Sequence, residues 1–122
     1  MDPTRKPVDP ARNPLDDLLH WRAEPTAVAR VVRQSGARGP VTFTRGHAAA
    51  AAARVADGSA RPDELAGWAH AVHLEDEVVV EDGHRDLLTR FLYEVSTPEL
   101  FGPPTAPVCR EWVRVLRDGA AP

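Results

Sequence analysis

Apolar side chains recur along this chain at spacings of three and four, and proline, glycine and capping residues interrupt them at short intervals. That rhythm predicts a series of short amphipathic helices. The first opens at Asn13-Pro14-Leu15-Asp16-Asp17. There Asn caps, Pro takes the first helical position at no hydrogen-bond cost, and two acids face the positive end of the dipole. Leu15, Leu18, Leu19 and Arg22 share a face, and the Glu24-Pro25 step predicts a stop near Ala23. A second helix is expected over residues 25–34, with Ala27, Val28, Val31 and Val32 on one side, Arg30 and Arg33 on another, and Ser35-Gly36 at its end.

Residues 36–43 read as a loop that allows a short extended piece at 41–43. Thr44 can cap a third helix through the alanine run 48–53 and Val55, ended by Asp57-Gly58. Alanine on every face lets neighbours approach closely, which predicts a central position. A fourth helix starts at Pro62 with Asp63 and Glu64 in its first turn, and Leu65, Trp68, Ala69 and Val72 form a stripe. Residues 84–96 carry the strongest periodicity: Leu87, Leu88, Phe91, Leu92 and Val95. One further helical turn follows at 98–102, and the last helix runs from about Thr105 to the Arg117-Asp118-Gly119 stop, with Val108, Trp112, Val115 and Leu116 as its stripe. No strand pair and no repeat stand out. The pattern predicts an all-α fold, a compact bundle of five to six short amphipathic helices.

The chain's 122 residues fit one domain, with 14–119 helical. Residues 1–13, with prolines at 3, 7 and 10, carry too few aliphatic groups to offset ordering entropy and read as a flexible arm. The chain has one cysteine, Cys109, which excludes an internal disulfide and a Cys-based zinc site. No signal peptide opens the sequence and no apolar run approaches a membrane span, so a cytoplasmic protein is expected. The net charge of −3 is divided unevenly: residues 1–61 carry ten Lys/Arg against six Asp/Glu, residues 62–122 five against twelve. Such asymmetry points to an interaction surface.

The densest charge lies between the fourth and fifth helices, in HLEDEVVVEDGH. Glu75, Asp76, Glu77, Glu81, Asp82 and Asp86, offset by Arg85 alone, surround Val78, Val79 and Val80. An acidic rim around an apolar centre suits a basic protein partner, since charge speeds encounter and selects partners. Val78 to Val80 either anchor the loop on the core, alternating in and out, or form that apolar centre. The alternative is a solvated loop whose acids serve the next helix, Asp82 as its cap and Asp86 in its first turn.

The segments Pro62-Asp63-Glu64-Leu65-Ala66-Gly67-Trp68-Ala69, Glu81-Asp82-Gly83-His84-Arg85-Asp86-Leu87-Leu88 and Thr97-Pro98-Glu99-Leu100-Phe101-Gly102-Pro103 carry a resemblance. Over residues 44–116 the chain resembles small helical bacterial proteins of toxin immunity. A looser analogy is with the immunity proteins of colicin nucleases, acidic helical bundles that face a basic enzyme. Those carry adjacent tyrosines before a proline, whereas here Tyr93 is single and lies inside a helix. The resemblance implies an all-α inhibitor that neutralises a toxin, with the acidic segment docking on a basic toxin surface such as that of a nuclease.

The other constellations have bland readings beside their sharp ones. His70 and His73 lie about 60° apart around a helix, with His84 beyond them, and no second ligand cluster joins them, so no metal or other cofactor is expected. Arg30, Arg33, Arg38, Arg45 and Arg54 flank a glycine-containing turn and offer the alternative function, nucleic-acid binding or regulation. Against it stand the long turn, the alanine-rich helix and a pI near 5.9. Trp68, Trp112, Phe91 and Phe101 fall on stripes and are expected in the core, while Trp21 lies off its stripe and is the candidate exposed anchor. Ser35, Ser59 and Ser96 sit in turns or caps, and Cys109 is expected as a small buried thiol. No catalytic residue is assigned. The expected function is stoichiometric binding, not catalysis, through Glu75, Asp76, Glu77, Val79, Glu81, Asp82, Asp86 and Trp21.

Overall fold

The computed structural model describes residues 13–35 and 39–118. The expected flexible arm, all but its last residue, therefore lies outside the described residues. The elements in chain order are α1 (Pro14–Leu19), α2 (Pro25–Ser35), β1 (Val41–Phe43), α3 (Arg45–Ala56), α4 (Pro62–Leu74), β2 (Val78–Val80), α5 (Arg85–Ser96), α6 (Pro98–Phe101) and α7 (Ala106–Asp118). The fold is all-α apart from one small sheet, and a single cluster of buried side chains draws on helices α1 to α5, strand β1 and helix α7.

Several boundaries follow from the residues that mark them. Asn13 accepts the Leu15 N–H at 3.0 Å, and its own amide donates to the Gly39 carbonyl at 2.7 Å. Thr44 Oγ1 accepts the His47 N–H at 3.3 Å while His47 Nδ1 accepts the Thr44 N–H at 3.0 Å, a capping box with histidine where glutamate is usual. Asp57 closes α3 and Gly58 turns the chain away at φ +87.

At the centre, Ala48, Ala49, Ala51 and Ala52 of α3 are buried, and α3 makes its most extensive contact with α7. Arg45, at the start of α3, donates to the Leu116 carbonyl near the end of α7 at 3.3 Å, so the two helices run antiparallel. The α4 stripe is buried as its spacing predicts, and it pairs chiefly with α5, which buries Leu88, Phe91, Leu92 and Val95. Trp68 is fully buried, and its indole N–H reaches the Leu18 carbonyl at 2.7 Å.

Five expectations need correction. A strand pair exists: β1 and β2 run parallel, with Val41, Thr42 and Phe43 opposite Val78, Val79 and Val80. Helix α1 stops at Leu19, not near Ala23, because Trp21 takes a left-handed conformation. On α2, Val28 and Val32 turn inward while Ala27 and Val31 face outward. The buried stripe of α7 is Cys109, Trp112 and Leu116, with Val108 44% exposed. Its rotation brings the Cys109 thiol to the Pro104 carbonyl at 3.3 Å. Phe101 is half exposed and meets Tyr93 edge-on at 5.4 Å, outside the core.

Among the described residues no helix is long and apolar enough to cross a membrane. The close α3 contacts make volume the sensitive variable there. Ala52 is fully buried, and Ala52→Leu is expected to cost about 1–3 kcal/mol by overpacking, read as a lower urea midpoint at unchanged slope.

Candidate functional site

The acidic segment is held at both ends. Glu75 closes α4 in an extended conformation, β2 pairs with β1, and Gly83 at φ +86 turns the chain into α5. Val78 and Val80 pack partly against the core, and Val79 between them is 46% exposed. The valines thus alternate in and out as a half-buried strand does.

The six acids divide by what they touch. Glu81 Oε1 accepts the Arg45 N–H at 3.1 Å, which sets its carboxylate on the positive end of α3. Asp86 sits in the first turn of α5, also on a favourable end. Asp82 is not the cap expected of it: His84 occupies that position, and the Asp82 side chain, 98% exposed, pairs with Arg85 at 3.6 Å. Glu75, Asp76 and Glu77 follow the C-terminus of α4, where the dipole is already negative and an acid gains nothing from the helix. Glu75, Asp76, Glu77 and Asp86 form no ion pair with another described residue. Leu74, 63% exposed, adds an apolar group beside Glu75. Sequence reasoning missed it, although it stands off the α4 stripe.

Charge segregation survives folding. Every ion pair among the described residues joins groups within six positions of one another, such as Arg22 with Asp16 and Asp17, Arg61 with Asp63, and Arg90 with Glu94. None carries an arginine of the basic half onto the 75–86 segment. Arg45 and Arg54 point to internal tasks, the Leu116 carbonyl and the Trp21 ring, while Arg30 and Arg33 stay exposed on α2. Arg38 lies outside the described residues.

Trp21 is a correction. It is half-buried, stacks on Trp68 with ring centroids 5.6 Å apart, and carries the Arg54 guanidinium 4.8 Å above its centroid. Its ring is engaged by Trp68 and Arg54, and it does not join the acids; it closes α1. The Trp21 N–H bonds to the Leu18 carbonyl at 3.0 Å and the Arg22 N–H to the Asp17 carbonyl at 2.9 Å, a Schellman closure with tryptophan in the glycine position at φ +52. Beside it lies a cleft of about 450 Å³ lined by Trp21, Glu24, Arg54, Asp63, Glu64 and Gly67. Its acids are already engaged: Glu24 caps α2 through the Thr26 and Ala27 N–H groups, and Asp63 and Glu64 face Arg61.

Burial shifts the protonation of His47 and Cys109. Burial lowers the His47 pKa from its ordinary value, with the edge-on His20 ring at 4.6 Å adding to the effect; Asp16 and Glu81 oppose it and Arg22 reinforces it. Burial pushes the Cys109 thiol up to about 11, which leaves it a packing group instead of a nucleophile. His70 and His73 are exposed and His84 half-buried, and among the described residues no three His, Cys, Asp or Glu side chains converge on a metal position.

No family model, no curated protein and no solved structure matches the chain.

Two outcomes follow for stability. Trp21→Gly and Trp21→Ala both lose the ring contacts, but glycine relieves the left-handed backbone, so the Gly variant should be the more stable by about 1 kcal/mol in urea unfolding. Because the folded protein binds the His47 proton less readily than the unfolded chain, stability is complete above about pH 6.5 and falls as pH drops below it. His47→Gln keeps the capping acceptor and should flatten that part of the profile below about pH 6.5.

Proposed function

We propose that this chain is a stoichiometric protein-binding module, an immunity-type inhibitor that neutralises a cognate bacterial toxin by docking its acidic 75–86 surface on a basic face of the toxin. The observation that carries the reading is the set of carboxylates at Glu75, Asp76, Glu77 and Asp86 without an ionic partner among the described residues, arranged around exposed Val79. Three of them stand where helix electrostatics oppose them, so local stability does not account for their presence. A dry apolar centre inside a charged rim is the composition of a protein interface. The resemblance of residues 44–116 to helical immunity proteins supports the same direction.

The mechanism needs no catalysis. The acidic surface raises the local concentration of a cationic partner and orients its approach, and Val79 with Leu74 supplies the area that desolvates on contact. Inhibition then follows from covering the basic surface that the toxin uses on its own substrate.

The test is capture of the partner from the native organism followed by kinetics on the purified pair. Replacing Glu75, Asp76, Glu77 and Asp82 by their amides should lower the association rate by about tenfold or more at low salt and change dissociation far less. The unmodified pair should lose association rate steeply as salt rises. Association unchanged by the four substitutions would overturn electrostatic docking.

A further inference from the structure

The described sheet contains two strands, so β2 has one edge that no strand occupies. The hydrogen bonds fix which backbone groups face that edge. The Val41 N–H donates to the Glu77 carbonyl at 2.9 Å, and the Glu81 N–H donates to the Phe43 carbonyl at 2.9 Å. In a parallel ladder with Thr42 opposite Val79, residues 77, 79 and 81 therefore turn their bonding groups toward β1, and Val78 and Val80 turn theirs away. The Val78 N–H folds back onto the Glu75 carbonyl at 3.1 Å. The Val80 N–H and the Val78 and Val80 carbonyls have no partner among the described residues.

Natural sheets blunt such edges with proline, lysine, bulges or covering loops. This edge is three consecutive valines, residues with high strand preference, in a regular register. What guards it is charge: Glu75, Asp76 and Glu77 stand at one end, Asp82 and Asp86 at the other. The strand itself is the three residues Val78–Val80, with turns at 76–77 and 82–83. An extended run of that length spans about 10 Å, the reach of some three residues of a partner strand. Two copies of this chain would bring like charges together at both ends, so the edge disfavours its own kind. An extended segment carrying arginine or lysine meets neither obstacle.

We propose that the open edge of β2 receives an extended, cationic segment of a partner protein as a third strand. The inference rests on the protein-binding reading above and specifies its geometry. A carbonyl of the partner accepts the Val80 N–H, and its amides donate to the Val78 and Val80 carbonyls. Its basic side chains meet the carboxylates at the two ends, while Val79 offers the exposed face to an apolar residue. Main-chain bonds then supply affinity, and charge supplies selection.

The probe is a synthetic eight-residue peptide of alternating arginine and valine, compared with the same peptide N-methylated at every backbone amide. The second keeps each charge and side chain but cannot add as a strand. In NMR titrations at low ionic strength, the first peptide should shift the Val80 amide and slow its exchange, and the methylated one should bind about tenfold more weakly or less, the worth of one or two hydrogen bonds. Val80→Pro removes the outward N–H and leaves the ladder bonds, which belong to residues 79 and 81. It should cause a comparable loss relative to Val80→Ala, which gives up the same core contact but keeps the N–H. Equal binding of the two peptides, or a Val80 amide left unprotected, overturns strand addition while leaving acidic docking intact. Failure of both peptides to bind at low salt overturns both. Should Val80→Pro not fold, the peptide pair alone decides.

Discussion

The alanines of α3 carry no atoms beyond Cβ, and this lets one helix serve as the common wall of the domain. Ala48, Ala49, Ala51 and Ala52 are all buried, so α3 meets α7 along its length and also touches α4 and α5. Larger side chains on this surface would push those partners outward, since interiors are packed with little free volume. The bulk that the alanines do not supply comes from the neighbours: Trp68 on α4, Phe91 on α5, and Trp112 on α7, whose ring lies edge-on to Phe91 at 5.2 Å. Small residues on the central element and large ones around it are two halves of one packing solution.

That wall also positions the acidic segment. Strand β1 leads directly into the Thr44 cap of α3, so β1 is fixed by the same helix that organises the core. Strand β2 inherits its place from β1, and Glu81 ties the far end to the first N–H of α3. A carboxylate thirty-six positions away thus completes the capping of α3. The charges between α4 and α5 therefore project from a framed strand, and their arrangement is a property of the fold. Since arginines pair with acids near them in sequence, the contrast between the basic and acidic halves is carried to the surface instead of being cancelled.

Local grammar made much of this legible. Asn13-Pro14, Thr44, Asp57-Gly58 and Pro62 set helix ends through groups within three or four positions, and the structure has boundaries at each of them. The α4 and α5 stripes were readable because each has one buried side. Longer-range features were not. The β1–β2 pair joins strands of three residues, too short for alternation to distinguish from loop. The Glu81 contact depends on that pairing. Trp21 was misplaced because a bulky residue at positive φ contradicts its own backbone preference; only its stacking partners, Trp68 and Arg54, explain it. On α7 two apolar faces compete, one with Val108 and one with Cys109, and the Pro104 carbonyl selects the second. The acids of the candidate surface could be read by type, but the use each one serves required knowing which helix end it faces.

The hidden thiol of Cys109 has a practical meaning. It is fully enclosed and its proton is held more tightly than usual, so an alkylating reagent meets it only when α7 lifts from α3. With no second cysteine in the chain, the rate of that single covalent event is a clock for how often the central helix pair opens.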